Sequence, residues 1–168
     1  MKWLLYFVVF IGVVVGGTFL AGYALPARTT IARSINLPQP PETVFALLAD
    51  VRNMAQWNRN TLKVEMLPPI DGKEATKQTF KGGMAMTIIT TESRPPHHLV
   101  RALGDANGPF LGSWTYEISP TAPNGSKVVL TEIGEFKNPL FRVMTRLFGQ
   151  TKYMDEHLAD LAKKLGPQ

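Results

Sequence analysis

An acid, a guanidinium and a series of aromatic rings recur at alternate positions in the second half of the chain. They are the side chains best suited to chemistry. Glu132 lies in a run, Lys127–Lys137, where it shares a face with Val128, Leu130 and Phe136, while Thr131, Ile133 and Glu135 take the other face. If the first face is concave, a carboxylate enters apolar space, its charged form is disfavoured, and it becomes a candidate acid or base. Arg101, in the run Leu99–Leu103, is a candidate partner for that acid, or for the acidic head of a ligand. Val129 and Ile133 keep the opposite facing open, with both charges outward and solvated. Phe110, Trp114, Tyr116 and Ile118 fall on one strand face, which reads as inward, either lining a pocket or filling an ordinary core. Met84, Met86, Met144 and Met154 add soft contact surface that suits a variable apolar guest or plain packing.

Other chemistries are excluded or unsupported. The chain has no cysteine, which removes disulfides, thiolate zinc sites and thiol catalysis. His97 and His98 follow Pro95-Pro96 and read as exposed turn residues, and adjacent strand residues point to opposite faces, so they do not chelate together. His157 sits beside Asp155 and Glu156, off the apolar stripe of its helix, and reads as solvated. No metalloprotease, calcium-loop, phosphate-loop or nucleophile-elbow motif is present, so neither a metal nor another cofactor is expected. Asn124-Gly125-Ser126 fits a glycosylation sequon, but a hairpin turn explains it fully. The net charge of +5 is spread along the chain without a basic run, which argues against nucleic acid and for mild attraction to anionic lipid.

The amino-terminal segment sets the setting. Trp3 to Leu25 carries no charge, and at ~1.5 Å per residue it spans roughly 35 Å, enough for a ~30 Å hydrocarbon core. Trp3, Tyr6 and Tyr23 lie near its ends, where amphipathic rings favour the headgroup zone. Gly22-Tyr23-Ala24 resembles a signal cleavage site, but the apolar run is longer than a signal core, which favours a retained single-pass anchor over residues 1–27. Lys2 on one side and Arg28 and Arg33 on the other give conflicting orientation signals, with a lean towards an extracytoplasmic domain. Gly12 and Gly16 form a small-xxx-small pair that offers a homodimer contact.

Residues 28–168 read as one domain. Alternation over Thr29–Leu37 predicts a strand, and Pro38-Gln39-Pro40-Pro41 stops it and opens a helix carrying Val44, Phe45, Leu47 and Leu48. Asp50 is placed to cap a short second turn bearing Met54 and Trp57. Asp71-Gly72, Gly82-Gly83, Pro95-Pro96, the loop 104–109 and Asn124-Gly125 then punctuate six strands, so the early strand makes seven. Asn138-Pro139 begins a long amphipathic helix whose stripe runs Leu140, Met144, Leu147, Thr151, Met154, Leu158, Leu161, Leu165. A helix segregated onto one face of an antiparallel sheet is an α+β architecture.

The segment Leu37-Pro38-Gln39-Pro40-Pro41-Glu42-Thr43-Val44-Phe45-Ala46-Leu47-Leu48-Ala49-Asp50, with Trp57 and the Pro95, Trp114 and Gly134 positions, resembles the SRPBCC superfamily. That superfamily includes START lipid-transfer, birch-pollen-allergen-like and polyketide cyclase/dehydrase-like proteins. The resemblance spans about Thr29 to Leu165. It implies a helix-grip fold, a seven-stranded curved antiparallel sheet wrapped around a long C-terminal helix, with an apolar pocket between them. The expected ligand-binding residues are Trp57, Met86, Arg101, Phe110, Trp114, Tyr116, Glu132, Met144 and Phe148. Three functions compete: a membrane-tethered binder of a hydrophobic or amphipathic, lipid-like molecule, a cyclase-like enzyme using Glu132 and Arg101, and a ligand-free interaction module.

Overall fold

The computed structural model describes residues 2–104, 110–148 and 151–166, and the side chain of Phe148 lies outside that description. Helix α1 (Lys2–Ala24) leads into strand β1 (Arg28–Leu37), helix α2 (Pro41–Ala49) and a 3-10 helix (Val51–Gln56). Six strands follow: β2 (Thr61–Ile70), β3 (Lys73–Phe80), β4 (Ala85–Arg94), β5 (His98–Leu103), β6 (Phe110–Thr121) and β7 (Gly125–Phe136). Helices α3 (Pro139–Phe148) and α4 (Lys152–Lys164) close the chain.

The strands form one antiparallel sheet in the order β1-β7-β6-β5-β4-β3-β2, so β1 crosses back to extend the meander beyond β7. Short turns with φ > 0 at Asp71, Gly72, Gly82 and Gly83 join the consecutive strands where the dipeptides predict them. The sheet must curl to grip a helix, and β6 and β7 supply a device for it. Gly112 pairs with Gly134 across these strands, and the Phe110 ring lies over the pair. A Cβ on Gly112 would stand 2.7 Å from the Ile133 carbonyl oxygen and 2.9 Å from the Phe110 ring, so only glycine allows that approach.

One end of the concave face is solid core. Leu37, Val44, Leu48, Leu99, Val128 and Leu130 meet Met154, Leu158 and Leu161 of α4, all nearly fully buried. At ~1.5–3 kcal/mol per buried aliphatic side chain, this cluster is the main force holding α2 and α4 against the sheet. An Arg33–Asp155 ion pair at 3.0 Å ties β1 to α4, but it is exposed and contributes little.

The carboxyl-terminal helix is two helices, which corrects the expectation of one continuous stripe. α3 ends at Phe148 and Thr151 stands at the N-cap position of α4. The intervening sequence is Gly149-Gln150, and glycine is ~1 kcal/mol less favourable than alanine inside a helix. Only the α4 half of the stripe enters the core; Met144 and Leu147 on α3 are exposed. Asp50 is a second correction. Its carboxylate accepts from Asn53 Nδ2 at 2.8 Å and makes no capping bond to the backbone of the 3-10 helix.

Candidate functional site

Beyond the core end, the sheet and helices diverge around an open cavity of about 410 Å³, within the range of small-molecule sites. Met86, Arg101, Phe110, Trp114, Tyr116 and Glu132 all line it, because β4 to β7 send alternate residues to the same concave face. The facing left open by the sequence is therefore resolved for Glu132 and Arg101: both point inward. Met84, Phe141 and Tyr153 are lining residues that are also exposed, and they mark the mouth.

Arg101, Trp114 and Glu132 occupy one row across three adjacent strands, since Arg101 is paired with Trp114 and Trp114 with Glu132. At ~4.8 Å per strand the charged residues are roughly 10 Å apart at the backbone, with the indole between them. They do not form the expected pair. Trp114 Nε1 donates to the Glu132 carboxylate, while Arg101 Nη2 donates to the Leu48 carbonyl at 2.6 Å. Burial raises the Glu132 carboxyl above its usual range, and the indole bond opposes that only in part. Arg101 is 3% exposed, its Nε lacks a partner among the described residues, and burial lowers its proton affinity. A guanidinium nonetheless stays charged in proteins, so the cavity wall holds a cation that makes no ion pair among the described residues.

His157 was expected at the surface and is instead 1% exposed at the cavity wall. Buried positions on α4 are Met154, His157, Leu158, Asp160 and Leu161, and His157 is a regular member of the i, i+3, i+4, i+7 set that Met154 begins. The imidazole is caged by Trp57, Trp114 and Tyr116, with ring centroids at 5.3, 5.2 and 5.8 Å. Burial, and then the positive charge of Arg101, push its pKa down to about 3, so it is neutral at physiological pH.

The hydrogen bonds around it fix a proton direction. Asn58 Oδ1 accepts from the backbone N–H groups of Asn60 at 2.9 Å and Thr61 at 3.2 Å. Asn58 Nδ2 therefore faces His157 Nδ1, at 2.6 Å, as the donor. That assigns the imidazole proton to Nε2, which lies 3.1 Å from the Tyr116 hydroxyl. Tyr116 accepts there, leaving its own proton for the cavity, and burial raises its pKa so that the proton is retained. Arg59 locks this arrangement from outside: its backbone N–H and Nε each reach Asp160 on α4 at 2.7 Å. Burial raises the Asp160 carboxyl, but the bonds from Arg59 outweigh it and hold the pKa below its ordinary value.

Two other sequence candidates stand off the cavity. Trp57 packs behind the lining, against His157 and the core, and Met144 is turned to the exposed side of α3, where Phe141 and Thr145 take the lining role. Phe148 lies outside the described side chains. Asn58, Gln78 and His157 were missed; Gln78 shares the inward face of β3 with Thr76, a polar pair that an apolar pattern does not flag. Among the described residues no group of three potential metal ligands is found.

An antiparallel sheet gripping a helix around an open, largely apolar cavity with a few convergent polar groups is a helix-grip fold. Residues 28–166 match the family model for polyketide cyclase / dehydrase and lipid transport, and the chain belongs to that family. Its fold is that of the Zhui aromatase/cyclase from Streptomyces sp. R1128 (TM-score 0.70, 14% identity, covering 82% of this chain and 93% of that one). A START superfamily protein from Mycobacterium smegmatis is similar (0.64, 18%, 81% and 96%). So is the di-domain aromatase/cyclase BexL of the BE-7585A biosynthetic pathway (0.68, 9%, covering 84% of this chain), of whose length this chain spans 51%. At these identities the likeness is one of fold. No curated protein matches in sequence.

Proposed function

We propose that this chain is a membrane-tethered binding domain for an amphipathic small molecule with an apolar body and an acidic head. The observation that carries the reading is the buried Arg101 on the wall of an open apolar cavity, its Nε unpartnered and its guanidinium without an ion pair among the described residues. Aliphatic and aromatic lining takes the ligand body, and Arg101 with the Tyr116 proton takes an oxyanion head. Helix α1, long and apolar enough to cross a membrane, tethers the domain where such molecules are concentrated. Gly12 and Gly16, which meet no other element among the described residues, are the proposed contact between two copies in the membrane, and the domain is proposed to face away from the cytoplasm.

The test is a titration of the full chain in detergent with cis-parinaric acid and with its alcohol analogue. The acid binds more tightly by about tenfold or more, the worth of a desolvated charge-assisted bond, and Arg101→Met abolishes the difference. A wild-type protein that binds neither probe overturns the reading.

A second reading rests on Glu132. A carboxyl with a raised pKa in the same cavity is suited to exchanging protons with a carbonyl-bearing substrate, as in a cyclase-like enzyme. Retained binding with turnover lost in Glu132→Gln would favour it over the carrier.

A further inference from the structure

Helix α3 packs alongside the end of α1. Gly22 is buried against Pro139, and a Cβ there would stand 2.2 Å from the Pro139 carbonyl oxygen. Arg142 reaches back from α3 to the carbonyls of Gly22 and Leu25 at 3.4 and 3.5 Å. Thr18, one turn before Gly22 on the same side of α1, is half-buried. An element that packs beside the last turns of a spanning helix shares their depth, and one turn is ~5.4 Å. If α1 spans the bilayer, α3 lies at the level of the headgroups and the upper acyl chains.

The chemistry of α3 fits that depth. Its side away from Arg142 carries Phe141, Met144 and Leu147, which are 45, 53 and 73% exposed. Seven large apolar residues outside α1 are exposed among the described residues. Three are these, and two more, Met84 and Tyr153, stand at the cavity mouth. Arg142 and Arg146 occupy the other side of α3, and Arg28 follows α1, which places cations in the zone of lipid phosphates. Phe141 belongs to both surfaces, since it lies on the exposed apolar side and also lines the cavity. The apolar patch and the cavity are continuous through it.

We propose that α3 is an interfacial helix seated in the bilayer surface, apolar side down, and that the cavity mouth opens against the membrane so that ligand enters from lipid and not from water. The route rests on the cavity reading above; the seating of α3 does not.

The absence of native cysteine makes the test direct. Single-cysteine variants of the full chain, Met144→Cys, Leu147→Cys and the control Lys127→Cys on β7, are labelled with a nitrobenzoxadiazole dye in phosphatidylcholine vesicles. Headgroup-depth nitroxide lipid quenches positions 144 and 147 about twofold or more beyond position 127, the contrast expected between a seated and a solvated site. Equal quenching overturns the seating whatever the cavity binds. The double variant Met144→Glu/Leu147→Glu then takes up cis-parinaric acid from vesicles about tenfold more slowly, with unchanged affinity for probe delivered in detergent micelles. Unchanged uptake overturns the route. A wild-type chain that binds no probe overturns the cavity reading and the route together, while the quenching still decides the seating.

Discussion

Lowering the pH should destabilise this domain through one imidazole, and the size of the effect follows from its surroundings. His157 is neutral in the folded state with a pKa of about 3, whereas an unfolded histidine titrates near ~6.5. Above ~6.5 neither state binds the proton and the neutral cage keeps its full stability. Below it the unfolded chain binds one proton more, so stability falls with falling pH, and the loss continues until the folded pKa is reached. The slope approaches ~1.4 kcal/mol per pH unit, and the change from pH 7 to pH 5 integrates to about 2 kcal/mol. That is a large share of a typical ~5–15 kcal/mol domain stability.

The assay is urea unfolding of the full chain in detergent micelles, followed by tryptophan fluorescence, because Trp57 and Trp114 flank the ring. His157→Gln supplies the reference. It costs ~1–3 kcal/mol at pH 7, since Asn58 and Tyr116 lose their partner, but it carries no titrating ring. Carboxylates such as Asp160 titrate in both proteins and largely cancel in the difference. The stability difference between wild type and variant should therefore shift in the variant's favour by about 2 kcal/mol on going to pH 5. A gap of the same size at both pH values would refute a neutral, buried imidazole and, with it, the direction assigned to the Tyr116 proton.

Two further perturbations probe other parts of the molecule. Glu132→Gln keeps an acceptor for Trp114 Nε1 and removes an ionisable group from a partly desolvated site, so the urea midpoint at pH 7 should rise or hold within ~1 kcal/mol; a loss above ~3 kcal/mol would mean that the charged form is well paired. Gly22→Val places side-chain atoms inside the Pro139 backbone and should part α1 from α3, speeding trypsin cleavage after Arg28 by about tenfold while leaving the domain's unfolding unchanged; an unchanged cleavage rate would show that the contact is not closed in solution.

The six-stranded meander was legible because β-turn chemistry is local: Asp71-Gly72 and Gly82-Gly83 readily adopt the φ > 0 that tight turns require. The crossing of β1 to pair with β7 was not foreseen, because no local signal specifies it. What escaped was decided by tertiary context. Leu140 to Leu165 has unbroken periodicity, yet α3 packs against α1 and α4 against the sheet, and a periodic pattern does not report which neighbour each half meets. His157 was misjudged because its acidic neighbours Asp155 and Glu156 suggested water, although Met154 three residues earlier puts it on the buried side. Arg101 and Glu132 were both found on the inward face, but Trp114, already picked as a lining residue, was not foreseen as the group that separates them.

Arg142 deserves a last consequence. Its Nε donates to the Phe136 carbonyl at 2.8 Å and its Nη2 to that of Lys137 at 3.3 Å, while Nη1 meets the closing carbonyls of α1. One guanidinium thus rivets the end of α1 to the rim of the sheet, and with α1 in the membrane as proposed the helix acts as a mast instead of a leash. A leash would let the domain tumble and sample every attitude above the lipid. A mast presents one aspect for as long as the rivet holds, which turns mere proximity into aim.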